Sequence, residues 1–335
     1  MAIKKGGMEK AVLACRGNVR AQPQKIQKQY EVTMKFVEFL LILLLISIYT
    51  GQSFFCKLYT KRYPGDPEAT TPVFSVVSGF VTALAALGFA LFSLPFHWNW
   101  QIVVMGIANS VILAVYNYAM VKASECGPYS IQMSLMLSGG ILIPAFISYA
   151  YGGGLKPLGW LFVAIIVVSV FLVSKKKGES FFSGNGRFWL FCLILFVFNG
   201  LYGAILAHQG AYEATVNSKN ELIICTFGMS GLINFALGLI SRKKKFLSDF
   251  KQSGASFLFL MLCSLCTSSA IILLSTLINN GMNTTLLFTF DNAGVLFFSV
   301  ICSAIFLKER LSALNWVGCA SMALGLIGIV FWGGA

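Results

Sequence analysis

From residue 36 onward the chain alternates long apolar runs with short polar breaks, and that pattern constrains its fold more than any other feature. The runs are Phe36–Cys56, Val73–Leu94, Ile102–Val121, Tyr129–Tyr149, Leu155–Val173, Phe188–Ala207, Leu222–Ile240, Phe257–Leu277, Thr284–Leu307 and Leu314–Trp332. About 20 apolar residues are needed to cross about 30 Å of hydrocarbon as a helix. Lipid offers no water to the backbone, so each segment must satisfy its own N–H and C=O groups. A lipid-facing barrel strand would alternate with period two, and these runs are continuous. The expected fold class is all-α integral membrane, with ten transmembrane helices.

Composition agrees. Only 11% of the 335 residues are charged and 57% are hydrophobic, against roughly a quarter charged in a soluble chain. The net charge of +13 sits in short Lys/Arg clusters between the runs, so the expected partner is the lipid bilayer and not nucleic acid. Most of the nine cysteines (Cys192, Cys225, Cys263, Cys266, Cys302 and Cys319 among them) lie inside apolar runs, where a thiol behaves as a small hydrophobe. Cys263 and Cys266 form a CxxC, but no second pair or nearby His completes a metal set. The sequence contains no HExxH, GxSxG or GxxxxGK[ST] motif. No enzyme activity, metal or cofactor is therefore expected, and His97 and His208 fall in predicted loops.

Residues 1–35 read as a basic solvated tail with eight Lys/Arg and no signal peptide of the usual form; Met34 is an alternative start. Beyond it, a shift of 156 residues lays the third to fifth runs onto the eighth to tenth. Leu155, Leu158 and Trp160 then fall on Leu311, Leu314 and Trp316. Two five-helix repeats are expected, 36–173 and 188–335, joined by a basic loop over 174–187. An odd number of helices per half inverts the second, and inverted repeats place a substrate site near the midplane. The breaks after odd-numbered runs carry fifteen Lys/Arg and the opposite side ten, counting the tail. Positive-inside counting puts both termini outside, while the basic tail argues the reverse.

The turn Lys308-Glu309-Arg310-Leu311, the step Asn315-Trp316-Val317-Gly318, and Gly325 with Gly328 resemble the EamA-like drug/metabolite transporters. In that family each half ends with such a turn and a glycine-spaced helix. The first half departs from it, with Gly152-Gly153-Gly154 in place of the charged turn and Gly159-Trp160 in place of Trp-x-Gly. The resemblance spans about residues 36–332. It implies a ten-helix secondary transporter of a small metabolite or organic cation (an amino acid, amine, vitamin or drug-like molecule), working by alternating access. The expected membrane is the plasma (inner) membrane of a prokaryote. Protons are candidate coupling ions through Asp291, and the small pair Ser321 and Gly325 on the last helix suits packing within one bundle, as a monomer, or a weak homodimer. The alternative is a membrane-embedded enzyme acting on lipid or isoprenoid, which would need clustered acids or His at the interface.

Polar groups at membrane depth are the informative positions, since an ionised Asp at a helix centre costs roughly 2.5–3.5 kcal/mol on insertion scales. Asp291, eight positions into the ninth run, is the main candidate for a proton- or cation-binding carboxylate. Helical spacing puts Tyr49 and Gln52 on one stripe of the first helix, Glu38 lying nearer its interfacial end. Asn109, Tyr116 and Asn117 share a face of the third helix, Gln132 opens the fourth, and Asn199 and Tyr202 stand three apart on the sixth. These nine residues are the expected substrate-binding set, lining one cavity. Each amide has a competing role as an interhelical tie.

Overall fold

The computed structural model describes residues 37–56, 58–66, 69–92, 95–126, 129–150, 155–175, 185–250, 254–306 and 312–332. The basic tail with Met34, the glycines at 152–154 and the turn at 308–311 lie outside these residues. All regular structure among the described residues is helical: α1 (Val37–Arg62), α2 (Thr70–Leu91), α3 (Trp100–Cys126), α4 (Tyr129–Ala150), α5 (Pro157–Ser174), α6 (Gly186–Ala211), α7 (Lys219–Arg242), α8 (Lys244–Asp249), α9 (Gly254–Asn279), α10 (Thr284–Thr289), α11 (Val295–Phe306) and α12 (Ala313–Trp332). A π-helical segment, Phe290–Gly294, joins α10 to α11. Eight helices are long and apolar enough to cross a membrane, the run from Thr284 to Cys302 counting as one; α5 and α12 carry the shorter apolar stretches Pro157–Val173 and Ala313–Ile329. The chain is thus a multi-pass helical protein of membrane character.

Contacts divide the chain into Met1–Leu44 and Leu45–Ala335. Of the first unit the described part is the opening of α1. In the second, α2 packs on α7 and α9, α3 on α6 and α7, α4 on α5 and α6, and α5 on α12. Close packing of small residues brings helices together where lipid tails remove the usual hydrophobic drive. A Cβ at Gly139 would lie 2.0 Å from the Phe196 carbonyl oxygen, so α4 and α6 cross at backbone contact. Gly325 turns toward Ile166, so the small-residue face of α12 is spent on α5 of the same chain.

Many buried hydroxyls answer to their own helix. Ser138, Ser264, Ser268 and Thr289 each donate to the carbonyl four residues back, a bond that lets a small polar side chain sit in an apolar layer. Asn315 does more. Its Nδ2 donates to the Leu172, Val173 and Lys175 carbonyls at 3.2, 2.7 and 2.8 Å, ending α5 from α12.

Three local features depart from the sequence reading. His208 stands in the last turn of α6 and not in a loop. Arg242–Lys245, part of the polar break after the seventh run, turns through a positive φ of 53° at Lys243 into the short helix α8. Phe246 of α8 is fully buried, packing with Tyr59, Ala69, Val73, Val76 and Leu260, and Arg242 is held between Asp66 (2.6 Å) and Asp249 (2.8 Å). Finally, the ninth run is not one continuous α-helix, because the π segment interrupts it at Asp291.

Candidate functional site

The π segment defines the candidate site. A π turn adds a residue to the helical circuit, breaks the i→i−4 ladder, and recurs at functional positions. Here it holds Asp291 and Asn292 in the middle of an apolar span. Asn292 compensates for the interruption by donating its Nδ2 to the Phe288 carbonyl at 2.9 Å. Gly294 closes the segment against α1: a Cβ there would meet Ile46 at 2.7 Å.

Asp291 has neither hydrogen bond nor ion pair among the described residues. The groups within electrostatic reach of its carboxylate are the phenols of Tyr49 on α1 and Tyr202 on α6. All three side chains lie deep among protein atoms and keep some accessible surface. Beside them, Asn199 donates to the Met136 carbonyl at 2.8 Å. A Cβ at Gly140 would sit 2.5 Å from both Asn199 Nδ2 and Asn292 Oδ1, so the two amides meet across a residue that has no side chain. Carboxylate, two phenols and two amides are a donor–acceptor set suited to a cation or a proton, and the phenol rings add a polarisable wall.

The remaining members of the expected set go elsewhere. Asn117 donates to Ser75 Oγ of α2 at 3.2 Å, and its neighbour Tyr116 donates to Met136 Sδ of α4 at 2.8 Å. Gln132 has no exposed surface and donates to the Met120 carbonyl at 2.8 Å, tying α4 to α3. Asn109 has no exposed surface either, and its amide finds no partner among the described residues. Neither Gln132 nor Asn109 presents an atom to a void in this conformation. Gln52 is half-buried, and its carbonyl accepts the Cys263 thiol at 3.3 Å. Thus Tyr49, Asn199, Tyr202 and Asp291 come together, while Asn109, Tyr116, Asn117 and Gln132 lie in helix–helix contacts.

Sequence reasoning missed Asn292 and Gly140. The signal for the first was present: two adjacent polar residues, Asp291-Asn292, in an otherwise apolar run cannot share one helical face. Gly140 carries no such signal, because the adjacent Gly139 has a plain packing role.

No protein-family model matches the sequence, and no curated protein matches it. A crystal structure of another protein aligns with 89% of this chain and 97% of its own length at a TM-score of 0.71, with 12% sequence identity. At that identity the likeness is one of fold.

Proposed function

We propose that this chain is a secondary transporter of the EamA-like drug/metabolite type, with ten spans in two inverted halves, moving a small metabolite or organic cation by alternating access. The observation that carries this reading is the Asp291 carboxylate, at a π turn inside an apolar span, without a hydrogen-bond or ion-pair partner among the described residues and facing the Tyr49 and Tyr202 phenols. A carboxylate at that depth needs a proton or a bound cation to offset its charge. Exchange between those two partners couples proton flow to substrate movement. The site would favour amines and other cations over anions.

The packing pattern supports the repeat. Exchanging the halves relates α2 to α7 and α5 to α12, and both pairs are in contact. The same exchange turns the α3–α7 contact into α9–α2, and α4–α5 into α11–α12; all four are present. The short spans α5 and α12 would be counterparts at the ends of their halves.

Proteoliposomes with an imposed pH gradient, loaded with a panel of amines, amino acids and vitamins, test the proposal. Wild-type protein should accumulate at least one compound in a pH-dependent way. Asp291→Asn should keep the fold, by elution profile and melting temperature, and lose at least tenfold of that uptake. Equal transport by the variant at every pH would make Asp291 structural and remove the cation preference.

A further inference from the structure

A second polar feature lies where α2 ends, α7 begins and α9 ends. A recess of about 260 Å³ opens there, lined by Pro95, His97, Lys219, Asn220, Glu221 and Asn279 among others. Its frame is fastened across three connections. Ser218 Oγ donates to the His97 carbonyl at 2.6 Å, and the His97 N–H donates to Glu221 Oε1 at 2.7 Å. Asn99 Nδ2 donates to the Ala214 carbonyl at 2.8 Å, and Asn279 Nδ2 donates to the Val216 carbonyl.

The frame leaves charged groups unspent. Lys219 donates once, to Thr276 Oγ1 at 2.9 Å, and an ammonium has three donors. Glu221 is only 4% exposed, and its carboxylate accepts the single bond from His97. Neither enters an ion pair among the described residues, with the other or with any third group. Asn220 is 8% exposed and its amide makes no hydrogen bond among the described residues. The first turn of α7 lacks a side-chain cap, since the Ser218 hydroxyl is given to His97. Opposite charges thus line one open recess without pairing with each other, and the buried Glu221 carboxylate keeps acceptor capacity that a ligand could use. Pockets for drug-sized ligands run to about 300–1,000 Å³, so this volume suits a smaller metabolite. A plain anion would meet Glu221, and a plain cation would meet Lys219 and the positive end of α7.

We propose that this recess binds a short zwitterion, its carboxylate against Lys219 and the first-turn N–H groups of α7, its ammonium against Glu221. The site is separate from Asp291 and does not depend on the chain being a transporter. Calorimetry on the full chain in detergent tests it with glycine, L-alanine and L-serine, alongside L-alanine methyl ester and N-acetyl-L-alanine. At least one free amino acid should bind saturably, and both blocked forms at least tenfold more weakly than L-alanine. Glu221→Gln, which keeps an acceptor for His97, and Lys219→Gln should each weaken binding at least tenfold. The proposal is overturned by no binding of any free amino acid, by equal binding of the blocked forms, or by undiminished binding in both recess variants. Should the recess variants fail to fold, the comparison of free and blocked compounds on wild-type protein still decides.

Discussion

Replacing Asn315 with Ala removes a side chain that serves two helices at once. The residue is 7% exposed. Toward α5, its two amide hydrogens are shared among the Leu172, Val173 and Lys175 carbonyls, which belong to the C-terminal groups a helix cannot satisfy internally. Toward α12, its Oδ1 accepts from Ser312 N at 2.8 Å and Ser312 Oγ at 2.7 Å, while Asn315 N donates back to Ser312 Oγ at 3.3 Å. That reciprocal pattern has the form of a capping box, with Asn in the place of Glu or Gln. A net hydrogen bond is worth about 0.5–1.5 kcal/mol, and a buried polar group left unsatisfied costs about 1–3 kcal/mol. Two short bonds to α5 and one capping interaction give an expected loss of about 2–4 kcal/mol for Asn315→Ala. Ser312→Ala removes only the α12 side and should cost about 1 kcal/mol. Asn315→Asp keeps the acceptor but sets a carboxylate against three carbonyls, so it should be at least as damaging as Ala. Reversible unfolding in mixed micelles, followed by tryptophan fluorescence, measures all three. If Asn315→Ala proved no worse than Ser312→Ala, the cross-helix cap would carry no energy and the reasoning would fail.

Two further outcomes concern the charged end beside α8. Double-mutant cycles should give Arg242 a coupling of about 1.5–3 kcal/mol with Asp249 and only about 0.2–1 kcal/mol with Asp66, because the Asp249 side chain is 9% exposed and that of Asp66 42%. Equal couplings would mean that burial does not rank these bonds. Burial, and next the Asp249 carboxylate, push the Tyr63 phenol up to about 12, against about 10 for a free phenol. The folded state therefore holds this proton more tightly, and the associated stability is complete below about pH 10 and lost as pH rises through 12. Alkaline titration at the tyrosinate absorbance band should show, in the difference between wild type and Tyr63→Phe, a phenol titrating near 12; a difference curve centred near 10 would contradict the assignment.

The apolar spans were legible because their constraint is local. Every residue in lipid must satisfy its own backbone, so an unbroken apolar run announces a helix without reference to its neighbours. Partners are not local, and there the sequence fell silent. Tyr116 and Asn117 are adjacent, and both were assigned to one face with Asn109. A single residue step turns a helix by about 100°, and the two side chains reach different neighbours, Met136 on α4 and Ser75 on α2. The motif residue Asn315 read as a family mark, and only the position of α5 gives it a physical task. The helix α8 was hidden by its charges: Lys243-Lys244-Lys245 reads as solvated chain, whereas Phe246 decides the geometry by filling the space at Gly238, where a Cβ would lie 2.3 Å from its ring.

The candidate site also has a pattern that no single residue reveals. Its members come from α1 (Tyr49), α6 (Asn199 and Tyr202), α4 (Gly140) and the π segment between α10 and α11 (Asp291 and Asn292). Under the proposed repeat these are the first and fourth helices of each half, so the site would lie on the axis that exchanges them. Under that repeat the shift of 156 residues places Asp291 on Leu135 and Asn292 on Met136. Met136 is the residue whose carbonyl accepts Asn199 and whose sulfur accepts Tyr116. Under that repeat corresponding positions would meet at the site with different chemistry: the Met136 carbonyl from the first half, carboxylate and amide from the second. The backbones differ in the same sense, since α4 passes the site with Gly139-Gly140 and Pro144 while its counterpart passes it with a π turn. A pair of identical carboxylates facing each other would repel and demand two neutralising partners at once. One carboxylate from one half needs a single charge to offset it, which is the stoichiometry that a one-proton or one-cation exchange requires.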